Sequence, residues 1–181
     1  MPPGGASPAP TTKRGDGMDY QKRKRIRLET YDYSTPGAYF ITICTREKRC
    51  ILSKITVGAD ALGDPRAILT NAGRIVEKYI LSTNKIPDIR VDKYVIMPNH
   101  IHMILFVEQI DGPPRASAPT MASIPNAVSA LKRLVNRELG ENIWQRSFHD
   151  HVIRNENDYG KIWEYIDTNP ARWDMDCFYT E

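Results

Sequence analysis

All four histidines of the chain fall in two His-x-His pairs, His100-Ile101-His102 and His149-Asp150-His151. Residues two apart on a strand face the same way, so each pair would set two imidazoles side by side on rigid backbone. That is a suitable clamp for a divalent metal. The first pair opens a stretch, His100 to Val107, whose other residues are apolar on both faces. It reads as a central strand, with His102 well buried and His100 partly so. Burying two imidazoles without partners would cost roughly a few kcal/mol. Hydrogen-bonded structural histidines and metal ligands both meet that requirement. The second pair leads into Val152-Ile153-Arg154 and reads as polar strand-end groups able to meet phosphate, a four-histidine metal site being the alternative. Near the end of the chain stand Glu164, Tyr165 and Asn169. Tyr165 and Asn169 are four apart and share a helix face, although Pro170 disfavours helical geometry at Asn169. Tyr159 points nearly the other way. Tyr165, between Ile162 and Ile166, suits a core position as well as a nucleophile's.

The elements that must position these groups follow from apolar periodicity. Residues 38–45 (AYFITICT) are aromatic and β-branched, a buried strand. A weaker strand is expected at 50–57 and a short one at Arg66–Leu69. Thr70 or Asn71 caps a helix whose apolar stripe is Ile75, Val76, Tyr79 and Ile80. Residues 89–97 and 100–108 form two strands around the turn Met97-Pro98-Asn99-His100. Pro125 opens a helix at about 126–139 with Val128, Leu131, Leu134 or Val135, and Leu139 inward, and Gly140 stops it. A strand at 148–153 and a helix from Asn155 or Asn157 to about Thr168 complete the order. This succession predicts an α+β fold, an antiparallel sheet flanked by helices in the ferredoxin or RNA-recognition manner.

Of the 181 residues, 41% are apolar and 26% charged, ordinary proportions for a globular protein. No apolar run reaches the ~18 residues that a membrane span needs, so no membrane partner is expected. Three cysteines, Cys44, Cys50 and Cys177, with no Cys-x-x-Cys spacing, argue against a disulfide framework or a thiolate zinc site. A reducing cytoplasm is the expected compartment. Half of the 24 glycines and prolines lie in residues 1–17 and 111–120. The first stretch reads as part of a disordered leader, 1–27, and the second as a flexible loop inside one domain spanning 28–178. The leader holds seven basic residues against two acidic ones, a net +5. With +3 for the whole chain, the remainder carries −2. Such local basic density attracts phosphates. Lys22, Arg23, Lys24 and Arg25 of the leader, Lys132, Arg133 and Arg137 on the polar side of the second helix, and Arg146 and Arg154 beside the second histidine pair are the expected nucleic-acid contacts.

The run Tyr94-Val95-Ile96-Met97-Pro98-Asn99-His100-Ile101-His102 resembles the His-hydrophobic-His (HUH) motif of single-tyrosine transposases, as does the earlier run from Tyr31 to Thr45. The likeness continues through Trp144-Gln145-Arg146, the segment from Phe148 to Glu156, and Glu164-Tyr165-Ile166 with Asn169-Pro170. Together these blocks, over about residues 22–178, resemble the REP-associated tyrosine transposases, a prokaryotic branch of the HUH class. The resemblance implies that His100, His102 and Asn169 bind a divalent ion, Mg²⁺ or Mn²⁺, and that Tyr165 is the nucleophile. It implies single-stranded or hairpin DNA as the partner, a nucleoid-associated location, and action as a monomer or homodimer. The long Pro-rich loop at 111–120 departs from the pattern without touching its motifs.

The implied chemistry is strand cleavage and rejoining without ATP, with the phosphodiester energy held in a phosphotyrosine ester. Tyrosine has a pKa near 10, so a metal would be needed to polarise the phosphate. Two imidazoles and an amide would leave the ion most of its charge. Two other readings compete. One is a non-catalytic RNA-recognition-type module; the other is a hydrolase whose metal activates water with Glu164 as base.

Overall fold

The computed structural model describes residues 32–56, 65–108 and 123–179. The leader, with Lys22, Arg23, Lys24 and Arg25, and the 111–120 loop lie outside them. Four strands form one antiparallel sheet in the order β4-β5-β1-β6: β1 Gly37–Cys44, β4 Ile89–Ile96, β5 His100–Val107 and β6 His149–Ile153. A separate hairpin pairs β2 Ser53–Thr56 with β3 Arg66–Leu69. The expected strand at 50–57 is thus shorter, because residues 49–52 are used to hold neighbouring turns: Leu52 N–H donates to Pro98 O, and Leu52 O accepts from Thr70 N–H.

The sheet is covered on both faces, which is why β5 reads as a nearly continuous apolar run. Ile101, Met103, Leu105 and Val107 of β5, with Tyr39, Ile41 and Ile43 of β1, pack against α1 (Asn71–Ser82) and α2 (Ile124–Leu139) in the larger core. The alternate residues face the other way. There Ala38, Ile104 and Ile153 meet Ile166, with Tyr159 and Ile162 beside it, on α3 (Glu156–Thr168). His100 and His102 belong to this second face. Burial of each large aliphatic side chain contributes about 1.5–3 kcal/mol, so the two cores fix sheet and helices firmly around the histidines.

The ends of the helices follow local chemistry. The Thr70 hydroxyl accepts from Gly73 N–H and caps α1. Gly73 is required by packing: a Cβ there would lie 2.0 Å from Leu52 O. Gly140, at φ 75°, terminates α2. Asn155 accepts from Asp158 N–H to start α3. After Thr168 the chain tightens into a 3₁₀ turn, Asn169–Met175, with Pro170 near its start. Asn169 itself keeps right-handed helical angles, φ −57° and ψ −42°, so Pro170 does not turn it off the face of Tyr165.

Candidate metal and nucleophile site

The β4–β5 hairpin is pinned before it presents anything. Met97 N–H donates to His100 O, closing a two-residue turn at Pro98-Asn99. Thr45 then fastens the turn to the end of β1, its backbone N–H and its hydroxyl both donating to Asn99 O at 2.8 and 3.0 Å. From this rigid corner His100 and His102 project onto the α3 face with their rings 4.4 Å apart. Both are fully buried, so His100 is deeper than its place at the strand start suggests.

Their orientation is set by the nitrogen that does not face the site. His100 Nδ1 lies 2.9 Å from Asn99 Oδ1, which can only accept, so Nδ1 carries the proton and Nε2 a lone pair. His102 Nδ1 lies 2.8 Å from the hydroxyl of Thr42, its cross-strand neighbour. An outer partner on one ring nitrogen is the usual way to fix an imidazole for metal binding through the other. Burial holds both rings neutral. It pushes His100 down to about 4, against the pull of Asp176. It pushes His102 well below the usual histidine range, with His100 adding to the effect.

α3 brings Tyr165 over this pair. Its Oη lies 3.3 Å from His102 Nε2, and its ring meets the His102 and Phe40 rings at 5.2 and 6.1 Å. The residue is still 38% exposed despite these contacts. Burial and the Asp176 carboxylate push the phenol up to about 12, so the free protein does not hold a phenolate at neutral pH. Asn169, one turn on, is buried beside it. Tyr159 points elsewhere and donates to Asp92 at 2.6 Å. Glu164, the base that water activation would need, is exposed.

Sequence reasoning missed Asp176. The 3₁₀ turn returns its carboxylate to the site, where Oδ2 accepts from Tyr165 Oη at 3.3 Å and from Asn169 Nδ2 at 3.1 Å. His100, His102 and Asp176 place one donor atom each within 4.8 Å of one another. The last described residues close over the cluster. Phe178 packs 4.7 Å from the His100 ring, its carbonyl accepts from Asn99 Nδ2, and the Lys48 ammonium donates to Cys177 O. Asn99 thereby orients His100 and anchors the C-terminal turn. One of two aspartates in the stretch Trp173-Asp174-Met175-Asp176 gives no signal of such a role; only its return through the turn does.

The residues fit a divalent ion on their own chemistry. His100 Nε2 and Asn169 Oδ1 are buried acceptors without a hydrogen-bond partner. Buried polar atoms are rarely left so, and both have the chemistry of metal ligands, His100 Nε2 lying 4.0 Å from Asp176 Oδ2.

The remaining expected contacts are not part of this cluster, although the His149 ring lies 6.4 Å from that of Phe178. β6 is an edge strand, and His149 and His151 are exposed on it. His151 Nε2 lies 2.9 Å from Asp158 and ties β6 to the first turn of α3. Among the described residues the second pair joins no metal-binding group. Lys132, Arg133 and Arg137 ride on α2, across the sheet from the histidines, and the Lys132 ammonium donates to Gln145 O and Ser147 O. Arg146 and Arg154 are exposed.

The described residues thus set one helix carrying a tyrosine across the His-x-His strand of an antiparallel sheet. A solved REP-associated tyrosine transposase bound to a REP hairpin shares this fold with a TM-score of 0.58 and 22% identity, over 81% of this chain and 74% of that one. The REP-associated tyrosine transposase of Escherichia coli (strain K12) is 23% identical over 141 residues, 77% of this chain and 70% of that protein. An uncharacterized protein of Haemophilus influenzae (strain ATCC 51907 / DSM 11121 / KW20 / Rd) is 32% identical over 187 residues, covering 94% of this chain and 99% of that protein, and the chain belongs to its family. No family model matches.

Proposed function

We propose that this protein is a metal-dependent transposase and endonuclease of single-stranded DNA that cleaves and rejoins strands through a 5′-phosphotyrosine, at hairpin sequences of the REP kind. The observation that carries this reading is the approach of Tyr165 Oη to within 3.3 Å of His102 Nε2, beside a buried, unpartnered His100 Nε2. The transposase likenesses and the bound hairpin of the solved relative support it. His100, His102 and Asn169 would hold Mg²⁺ or Mn²⁺. When bound, that ion supplies charge to polarise the scissile phosphate and offset the negative charge that builds on it.

The chain's own residues do the rest. Tyr165 Oη attacks the phosphorus, the bond from phosphorus to the 3′ oxygen breaks, and a free 3′-hydroxyl leaves. The 5′-phosphate stays on the tyrosine, its ester energy conserved. The proton lost by the phenol equals the proton gained by the leaving oxygen, so the step is neutral overall. Attack of a 3′-hydroxyl on the phosphotyrosine reverses it and reseals the strand. Neutral His100 offers a lone pair rather than a proton at Nε2. The 28–178 domain supplies this chemistry. The basic leader, with Arg146 and Arg154, supplies sequence-independent phosphate attraction.

The test is incubation of the full chain with labelled hairpin DNA carrying single-stranded flanks, with Mn²⁺. A denaturation-resistant protein–DNA adduct is expected. Cleavage without an adduct would favour water activation; metal-independent binding without cleavage would leave a binding module.

A further inference from the structure

We infer that Asp176 is itself a ligand of the ion held by His100 and His102, so that the C-terminal turn is part of the metal site. This rests on the metal reading above and adds a ligand to it. The Asp176 side chain is only 1% exposed. A buried carboxylate needs a compensating charge or a dense set of donors. Among the described residues no lysine or arginine makes an ion pair with it, and its donors are neutral: Phe178 N–H to Oδ1 at 2.7 Å, and Tyr165 Oη and Asn169 Nδ2 to Oδ2. Oδ1 is thus fixed by backbone, and Oδ2 is aimed at the cluster.

There, Oδ2 lies 4.0 Å from His100 Nε2. That is too far for a hydrogen bond. Two donors on one small divalent ion, each at about 2.1 Å, stand at most ~4.2 Å apart. The pair is therefore spaced for an ion between them, and His100 Nε2 has no other partner. One carboxylate with two imidazoles and an amide lowers the charge of the ion from 2+ to a net 1+. This strengthens ion binding, since carboxylate count tunes divalent-ion affinity. It also links ion binding to the seating of residues 176–178.

The experiment is a Mn²⁺ titration of the full chain without DNA, reading free Mn²⁺ by electron paramagnetic resonance, for the parent, Asp176→Asn and His100→Ala. Asp176→Asn keeps an acceptor for Phe178 N–H, and circular dichroism checks its fold. Its Mn²⁺ affinity should fall by ~10-fold or more. Unchanged affinity in a folded Asp176→Asn, with binding lost in His100→Ala, would overturn the assignment of Asp176 and leave the proposed function standing. A parent chain that binds no Mn²⁺ would overturn both. Should Asp176→Asn fail to fold, labelling of the exposed Cys177 thiol in a Cys50→Ser chain decides: Mn²⁺ must slow it, and an unaltered rate overturns the inference.

Discussion

Replacing Tyr165 with phenylalanine separates chemistry from structure at one atom. The hydroxyl makes two long contacts, both 3.3 Å, to His102 Nε2 and Asp176 Oδ2. The side chain is more than a third exposed, so water replaces part of what is lost. A net hydrogen bond of this sort is worth about 0.5–1.5 kcal/mol, and these long, partly solvated ones belong at the lower end. The ring keeps its packing on Phe40 and His102. For a domain of this size ~1 kcal/mol moves Tm by about 2–4 °C, so Tyr165→Phe should melt within a few degrees of the parent. Tyr159→Phe gives up a shorter bond, 2.6 Å to the Asp92 carboxylate, and should melt at the same temperature or lower. The adduct assay must then rank the two variants the opposite way. With labelled hairpin DNA and Mn²⁺, Tyr165→Phe should yield no covalent product while binding DNA normally, and Tyr159→Phe should yield it at near the parent level. Adduct persisting in Tyr165→Phe and vanishing in Tyr159→Phe would refute the placement of the nucleophile. Cleavage persisting in Tyr165→Phe without adduct, and lost in Glu164→Gln, would refute tyrosine chemistry.

His100→Ala, or excess EDTA with the parent chain, should abolish cleavage and spare hairpin binding in a gel-shift assay, because affinity comes mainly from phosphate contacts and stacking. Burial depresses His100 to about 4, so the folded protein resists a proton that the unfolded chain accepts near the ordinary value of 6.5. The metal-free protein should therefore lose stability as pH falls from about 6.5 toward 4, with that contribution intact above 6.5, and the slope should flatten in His100→Gln, as denaturant melts at a series of pH values would show. Gly73→Ala drives a Cβ to 2.0 Å from Leu52 O, backbone that also holds the Thr70 cap and the β4–β5 turn. It should cost roughly 1–3 kcal/mol or more in urea melts.

The parts of this molecule that were legible in the sequence are those with local signatures. Val76 and Ile80 marked the inner face of α1, and both are fully buried. The Met97-Pro98-Asn99-His100 turn and the near-unbroken apolar run of β5 announced a hairpin feeding a central strand. The pairing of Tyr165 with Asn169 followed from helical spacing, and it held because Asn169 kept helical angles despite Pro170. What stayed hidden depends on contacts between segments distant in the chain. Apolar periodicity could not say which face of the sheet α2 would cover. Lys132, Arg133 and Arg137 are expected as nucleic-acid contacts from the polar side of that helix; α2 packs against the Ile41 and Ile43 face and α3 takes the histidine face.

Asp176 illustrates the same limit at the chemistry itself. A ligand on a strand or helix can be read from spacing, because the element dictates where the side chain points. Asp176 is brought back by a 3₁₀ turn with a kink at Arg172 (φ −117°, ψ 22°), and held by a backbone bond from Phe178 to its own carboxylate. Its position is a product of the whole C-terminal fold: Trp173 against His100, Phe178 over both histidines, and Asn99 gripping Phe178 O. Residues 176–178 therefore meet the histidine pair through β5, α3 and the β4–β5 turn together. The strand supplies rigid imidazoles and the helix supplies the tyrosine. The C-terminal turn supplies a carboxylate whose position no single element dictates.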